Sequence, residues 1–168
     1  GKSTLLQVLA GELPPTSGRV TRLDGVRVGL LTQETRLPRP PTVQQWERPS
    51  ASQKNLVRWT ACRAYERAVG IDRATEVPLS TFGLLAAQDE TRVVTELSVG
   101  QQRRLALAIL LANPPEVLLL DEPTNHLSLR LVTELEQAIP DYPGAIVVAS
   151  HDRWLRNTWQ GKRLHLAG

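Results

Sequence analysis

The first four residues of the chain have the side chains that bind phosphate and magnesium in many proteins. Gly1-Lys2-Ser3-Thr4 matches the second half of the P-loop pattern G-x-x-x-x-G-K-S/T. In a P-loop, backbone N–H groups and a helix N-terminus bind the phosphates, the lysine reaches the β- and γ-phosphates, and the hydroxyl ligates Mg²⁺. We therefore expect Gly1 and Lys2 to bind phosphate, Ser3 to ligate Mg²⁺ and Thr4 to contact the α-phosphate. The alternative is an ordinary Ser/Thr-capped helix, so the match needs a second motif.

Two acids follow a predicted strand in the second half of the chain. Val117–Leu120 is a run of four apolar residues preceded by prolines, which is typical of a strand buried on both faces. Asp121 and Glu122 come next, and carboxylates are rarely buried without a partner, so we expect them at the open carboxyl end of the sheet. An acidic turn alone needs no function. In a P-loop protein, however, Mg²⁺ is held between the loop hydroxyl and such an Asp, which makes Ser3 and Asp121 the predicted ligands.

Three further polar segments follow strands of the same sheet or open a helix. Gln33 follows a strand, Leu97-Ser98-Val99-Gly100-Gln101 opens a helix, and His151 follows the strand after Asp121. The ordered set resembles the P-loop, Q-loop, signature, Walker B and H-loop of an ABC ATPase over nearly the whole chain. The resemblance implies ATP and Mg²⁺ as cofactors and ATP hydrolysis as the activity.

The resemblance also implies roles for the polar residues. Asp121 would hold the Mg²⁺ shell, and Glu122 would act as general base or polarise the attacking water. Gln33 would contact Mg²⁺ or that water and couple a helical insert to the sheet. His151 would contact the γ-phosphate, and its alternative is a histidine that caps the end of a strand.

In ABC ATPases the signature segment serves the ATP of a partner cassette. Ser98, Gly100 and Gln101 would therefore bind an ATP that is not the one held by Lys2. The physical basis is again anion binding at a helix N-terminus, and hydrolysis needs two cassettes face to face. Val99 replaces the usual second glycine of the signature, which leaves activity at that composite site open.

Two segments resemble ABC-F proteins in particular, namely Thr124-Asn125-His126-Leu127 and Ser150-His151-Asp152-Arg153-Trp154-Leu155. ABC-F proteins have two cassettes in one polypeptide and no membrane domain, and they act on ribosomes as translation factors or ribosomal protection proteins against antibiotics. The resemblance implies a cytoplasmic protein, with this chain as a second cassette of the actinobacterial resistance type. Its partners would be an upstream cassette and the ribosome with its RNA. Ser128 stands where ABC-F proteins carry Asp, which leaves communication between the two sites open.

Two other functions remain open from the sequence. The chain is alternatively the nucleotide-binding subunit of an ABC membrane transporter, although His126 speaks against this. A non-catalytic remnant is the third hypothesis, because of Val99 and Ser128. Under the ribosomal hypothesis, the arginines with potential contacts to RNA phosphates are Arg103, Arg104, Arg153 and Arg156. A solvated or intramolecular role is the alternative for each arginine.

The composition agrees with one globular domain. The 168 residues are 41% hydrophobic, and no apolar stretch reaches the about 20 residues of a membrane helix. The single cysteine, Cys62, excludes an internal disulfide and fits a reducing compartment. A net charge of +3 and a pI near 9.5 indicate a polyanionic partner only weakly. Because the chain begins inside the P-loop motif and contains no Met, we expect a piece of a longer protein that is inactive alone.

The elements that position these residues alternate between helices and strands, which predicts an α/β P-loop NTPase domain of the ABC type with a mainly parallel sheet. Its core would comprise 1–36 and 113–168, with an inserted helical subdomain at 37–112 and the N-terminal strands missing. Predicted helices are Lys2–Ala10, one capped by Thr42, 55–69, Leu79–Ala87, one capped by Ser98, Leu129–Ile139 and Arg153–Asn157. Predicted strands are a hairpin of Arg19–Leu23 with Val26–Leu31, then Val117–Leu120, Ala145–Ala149 and an edge strand Arg163–Leu166.

Overall fold

The computed structural model of the chain describes residues 1–32, 37, 59–125 and 129–166. The chain forms two compact units. The first contains Gly1–Glu34 and Pro114–Gly168, and the second contains Thr35–Asn113. The sequence predicted a core of residues 1–36 and 113–168 with a helical subdomain at 37–112, and this assignment of domains stays a prediction.

The described elements follow one another as helices and short strands. In chain order they are α1 (Lys2–Ala10), β1 (Val28–Leu31), α2 (Ala61–Val69), α3 (Ile71–Glu76), α4 (Ala87–Glu90), α5 (Val99–Ala112), β2 (Val117–Asp121), α6 (Leu129–Ala138), β3 (Ala145–Ala149) and α7 (Arg153–Thr158). Single 3₁₀ turns lie at Leu79–Phe82 and Val94–Glu96.

The first unit is built on the three strands, which are parallel and lie in the order β1-β2-β3. The register aligns Leu119 of β2 with Val147 of β3. Parallel strands need crossover connections, and these run through helical segments. The parallel α/β sheet predicted from the sequence is confirmed.

Helix α1 covers this sheet and carries the first predicted motif at its start. It contacts all three strands, and Leu6 packs with Leu119 and Ala149 in the buried core. The helix ends at Gly11, whose φ of 75° lies in the left-handed region that glycine adopts without a Cβ clash. The bounds predicted for this helix are confirmed.

The amino ends of β1 and β2 are joined by a charged contact. Arg27 Nη2 lies 2.9 Å from Glu116 Oε1, and the backbone N–H of Arg27 donates to Glu116 Oε2 at 2.7 Å. The Arg27 side-chain hydrogen bonds, followed by the backbone ones, lower the pKa of Glu116 to about 2. Both side chains are about half exposed, so the pair fixes strand register more than it adds stability.

The second unit is helical in its described part. Helix α2 is capped by Thr60 and packs against α3, α4 and α5. Tyr65 of α2 donates its hydroxyl hydrogen to Val77 O at 2.6 Å. Helix α5 is the longest described helix, with 14 residues. In the described ranges, none of the helices combines the length and the hydrophobicity needed to cross a bilayer.

Two predicted strands are wrong. Arg19–Leu23 does not form a strand, although the predicted turn is present with Gly25 at a φ of 81°. Among the described strands β1 pairs with β2 alone, and Leu23 is 78% exposed. No apolar face is buried there, so nothing favours a ladder. Arg163–Leu166 is also not a strand, and Leu164 is equally exposed.

The helices of the second unit differ from prediction in their bounds. The predicted helix 55–69 begins only at Ala61, after its cap, and residues 55–58 lie outside the described part. Leu79–Ala87 is divided, because Gly83 takes a left-handed φ of 58° and ends the 3₁₀ turn before α4 begins. Helix α3 was not predicted. The helix expected after Thr42 lies outside the described residues.

Candidate active site

The N-terminus of α1 presents unpaired backbone donors together with a lysine and two hydroxyls. Gly1 is the N-cap and supplies no side-chain cap, and the first intrahelical bond runs from Leu5 N to Gly1 O at 3.1 Å. The N–H groups of the first turn therefore have no intrahelical acceptor. Ser3 and Thr4 are exposed beside them. Such a helix end binds anions, so the donor set fits the phosphates expected from the sequence.

Lys2 joins this helix to the carboxyl end of β3. Its Nζ donates to Ser150 O at 3.4 Å and lies 3.4 Å from His151 Nδ1. The sequence separates these residues by almost 150 positions, and the parallel sheet brings them together because β3 ends beneath the start of α1. The predicted phosphate-binding lysine and the predicted γ-phosphate histidine therefore lie side by side.

The Glu122 side chain is held in place by several contacts at the site. Its carboxylate is 7% exposed, and Oε2 accepts hydrogen bonds from Ser150 Oγ at 3.3 Å and from His151 N at 3.2 Å. Oε1 lies 3.9 Å from His151 Nε2. The backbone N–H of Glu122 donates to Ala149 O at 2.8 Å, which extends the ladder between β2 and β3 by one residue. The arrangement fixes the carboxylate beside the His151 imidazole, and a general base needs such a fixed position.

The backbone at Glu122 is in the left-handed region, with a φ of 47°. In the described part of the chain it is the sole non-glycine residue with a positive φ. A single residue in this region costs roughly 1 to 2 kcal/mol. The turn at the end of β2 is thus locally strained, and it directs the carboxylate towards Ser150 and His151.

Asp121 lies immediately before this turn, as the last residue of β2, and is 4% exposed. A carboxylate oxygen and the Ser3 hydroxyl are the hard oxygen ligands that Mg²⁺ prefers. In the described residues no group of three or more His, Cys, Asp or Glu side chains forms a metal cluster.

The signature residues lie in the second unit, where they open α5. Ser98 Oγ accepts from Gln101 N at 3.2 Å, while Gln101 Oε1 accepts from Ser98 N at 2.8 Å, which completes a capping box. Gly100 lies in the first turn. Val99 is 62% exposed at the tip of the helix, so its side chain stands at the surface that would meet a partner.

The structure thus unites Lys2, Asp121, Glu122 and His151 in the first unit and Ser98 with Gln101 in the second. Gln33, His126 and Ser128 lie outside the described residues, so their predicted roles stay predictions. Sequence reasoning missed Ser150 as a partner of Glu122, although a hydroxyl between a buried strand and a histidine was a usable signal. Arg103 is only 2% exposed, which favours the intramolecular role that the sequence left open for it over a contact with RNA.

An open cavity of about 820 Å³ adjoins the site along β3. Its charged and titratable lining is basic and includes Lys2 and His151. Most of its wall is aliphatic or aromatic, through residues such as Leu5, Leu6, Ile146, Leu155, Trp159 and Leu164. Phosphate oxygens prefer charged donors such as Lys2, and the mostly apolar wall does not suit a triphosphate.

Comparison with known proteins agrees with this geometry. A family model described as ABC transporter matches residues 1–125. The tylosin resistance ATP-binding protein TlrC of Streptomyces fradiae is 44% identical over 167 residues, which are 99% of this chain and 27% of TlrC. The energy-dependent translational throttle protein EttA of Haemophilus influenzae is 31% identical over 189 aligned residues, covering 99% of this chain and 34% of EttA. Both relatives are ABC-F members. The chain spans about a quarter to a third of their length.

Solved structures show the same fold. The dimeric structure of a bacterial ABC transporter cassette matches with a TM-score of 0.66 and 24% identity, over 94% of this chain and 72% of that cassette. The post-hydrolysis state of that cassette, bound to ADP and Pi, matches with a TM-score of 0.60, over 92% of this chain and 72% of that cassette. At these identities the likeness concerns the fold alone.

Proposed function

Because the chain belongs to the ABC transporter family, whose cassettes hydrolyse ATP, we propose that it is the second cassette of an ABC-F protein that acts on the ribosome. The observation that carries the catalytic part is the Glu122 carboxylate, held by Ser150 and by His151, whose ring also lies beside Lys2. The ribosomal part rests on the relatives and on the motifs around Asn125 and His151.

The residues of the first unit that would hold ATP are those at the start of α1. The N–H groups of its first turn and the Lys2 ammonium bind phosphate oxygens, and Thr4 contacts the α-phosphate. Ser3 and Asp121 would hold Mg²⁺, with Gln33 as a further ligand. When bound, Mg²⁺ neutralises charge on the β- and γ-phosphates.

Glu122 performs the proton transfer in this proposal. It accepts a proton from the attacking water as the new bond to phosphorus forms and the bond to the leaving oxygen breaks. Ser150 and the backbone of His151 hold the carboxylate in place. The His151 ring, 3.4 Å from Lys2 Nζ through Nδ1, contacts the transferred phosphoryl oxygens together with that lysine.

The second unit contributes to a different nucleotide. The N-terminus of α5, with Ser98, Gly100 and Gln101, would face the γ-phosphate of an ATP bound by the other cassette of the protein. Val99, which is exposed at the start of α5, adds a side chain where the usual signature glycine has none. The Val99 side chain has no polar atom, so Ser98 is the side chain that caps the first turn.

The proposed ribosomal role rests on what the names of the relatives state. TlrC is a tylosin resistance protein and EttA a translational throttle protein, and this chain corresponds to a part of each. We assign the cassette to a cytoplasmic protein with the ribosome and its RNA as partners. Arg153 and Arg156 are exposed and remain the candidates for phosphate contacts.

The test uses the full-length protein that carries this cassette. Glu122→Gln, combined with the equivalent change in the other cassette, removes the base but keeps the hydrogen-bond acceptor, so ATP should bind without hydrolysis. Sedimentation with purified bacterial ribosomes is compared in ATP and in ADP. Glu12→Gln, at an exposed glutamate after α1, is the matched control for a lost charge.

We expect the Glu122→Gln protein to sediment with ribosomes in ATP and not in ADP, and the control to hydrolyse ATP like the wild type. A folded, ATP-bound Glu122→Gln protein that stays off the ribosome would refute the ribosomal role and favour a transporter subunit. Unchanged hydrolysis in Glu122→Gln would refute the catalytic assignment.

A further inference from the structure

A buried carboxylate lies behind the signature helix of the second unit. Asp89, on α4, is 7% exposed. Its Oδ2 accepts a hydrogen bond from Gln101 Nε2 at 2.7 Å, and its Oδ1 lies 3.1 Å from Arg92 Nη1. Charge-assisted hydrogen bonds of this length are the strong ones. The carboxylate therefore links three segments of the second unit.

Gln101 transmits this contact to the N-terminus of α5. Its Oε1 accepts from Ser98 N, so the other end of the amide, Nε2, is left to face Asp89. An amide has one acceptor end and one donor end. Asp89 thus fixes which way the Gln101 amide points, and with it the capping box that sets the first turn of the helix.

Arg92 and Gln102 hold the segment that leads into α5. Arg92 Nη2 donates to Glu96 O at 2.6 Å, and Gln102 Nε2 donates to Leu97 O at 3.0 Å. Arg92 also balances the Asp89 charge. The network therefore adds no net negative charge behind a helix end that would approach a phosphate.

We propose that Asp89 is a positioning residue that acts through Gln101 to aim the N-terminus of α5 at the γ-phosphate of the ATP bound by the partner cassette. The inference rests on the proposed role of Ser98 and Gly100. It predicts a change in kcat for ATP hydrolysis rather than in the affinity of this cassette for its own ATP, because Lys2 belongs to a different nucleotide site.

A reversal of the hydrogen bond tests the proposal in the full-length protein. Gln101→Glu keeps the acceptor for Ser98 N but sets two carboxylates against each other, so we expect kcat to fall by about tenfold or more. Asp89→Asn with Gln101→Glu restores one donor and one acceptor. The double variant should return to within about threefold of Asp89→Asn, and the affinity of this cassette for its own ATP, measured by nucleotide binding with the P-loop lysine of the other cassette replaced, should change by less than about twofold.

Asp72→Asn, at an exposed acid in the first turn of α3, is the control and should behave as the wild type. A Gln101→Glu protein as fast as the wild type overturns the proposal. So does a double variant that stays about tenfold or more below Asp89→Asn, and this comparison holds even where Gln101→Glu alone fails to fold. If Ser98→Arg leaves hydrolysis intact, the proposed role of the signature fails instead, which separates the two failures.

Discussion

Ser150 offers a sharp test of how the catalytic carboxylate is held. Its hydroxyl donates to Glu122 Oε2 at 3.3 Å and accepts from Asp152 N at 3.0 Å. A second hydrogen bond to the same oxygen comes from His151 N at 3.2 Å. Ser150→Ala therefore removes a side-chain donor to Oε2 and leaves the backbone donor of His151 in place.

The size of the effect follows from this geometry. A hydrogen bond to a charged group contributes about 1.5 to 3 kcal/mol, and a long one with partly exposed partners lies at or below the lower end. If poorer orientation of Glu122 raises the activation free energy by about 1 to 1.4 kcal/mol, kcat falls roughly five- to tenfold. The KM for ATP should stay unchanged, because Lys2 and the start of α1 are untouched.

The assay is steady-state ATP hydrolysis by the full-length protein, with the base of the other cassette changed to Gln so that this site alone is measured. Ser150→Thr keeps the hydroxyl and should retain most of the rate, with the thermal midpoint of both variants as the folding control. A Ser150→Ala protein with wild-type kcat, or one whose loss appears only in KM, would refute the role of Ser150 in positioning Glu122.

Three further predictions concern stability. The pKa of Glu116 is lowered from 4.5 to about 2 by Arg27, so its stabilising contribution is complete above about pH 4.5 and is lost as the pH falls towards 2; the Tm of wild type and Glu116→Gln should converge over that range. Leu119→Ala should cost about 2 to 5 kcal/mol in urea unfolding, whereas Val147→Ala, at the aligned but 40% exposed position of β3, should cost under about 1.5 kcal/mol. Gly144→Ala should lower Tm by several degrees, because its Cβ would overlap the Glu116 carbonyl oxygen, a backbone atom; an unchanged Tm would contradict this packing.

Local signals in the sequence predicted the elements that position the site. Helix α5 was found from the Ser98 cap, and its start is confirmed by a complete capping box. Strands β2 and β3 were found from apolar runs, which are typical of strands in parallel sheets; β2 is buried along most of its length, whereas β3 is buried only at Ala149. Helix α1 was found from its motif and its terminal glycine. Each of these signals lies within a few residues of the element that it predicts.

The failures depended on contacts far along the chain. Arg19–Leu23 was predicted as a strand because it precedes the Asp24-Gly25 turn, but a ladder also needs a neighbour and a buried face, and the sequence shows neither. The pairing of Glu122 with Ser150 and His151 spans almost thirty positions. The burial of Arg103 could have been predicted from the helix, because Arg103 lies one helical turn before buried Leu107 on the same face of α5.

The left-handed backbone at Glu122 also has a consequence for mutational tolerance. Substitutions at this position are ordered differently by backbone conformation and by catalytic chemistry. Gly, Asn and Asp adopt a φ of 47° most readily, while β-branched residues resist it. Selection of a variant library for folded, expressed protein should therefore enrich Gly and Asn at residue 122. Selection of the same library for turnover should enrich carboxylates, so the position that matters most for chemistry should look permissive whenever abundance alone is scored.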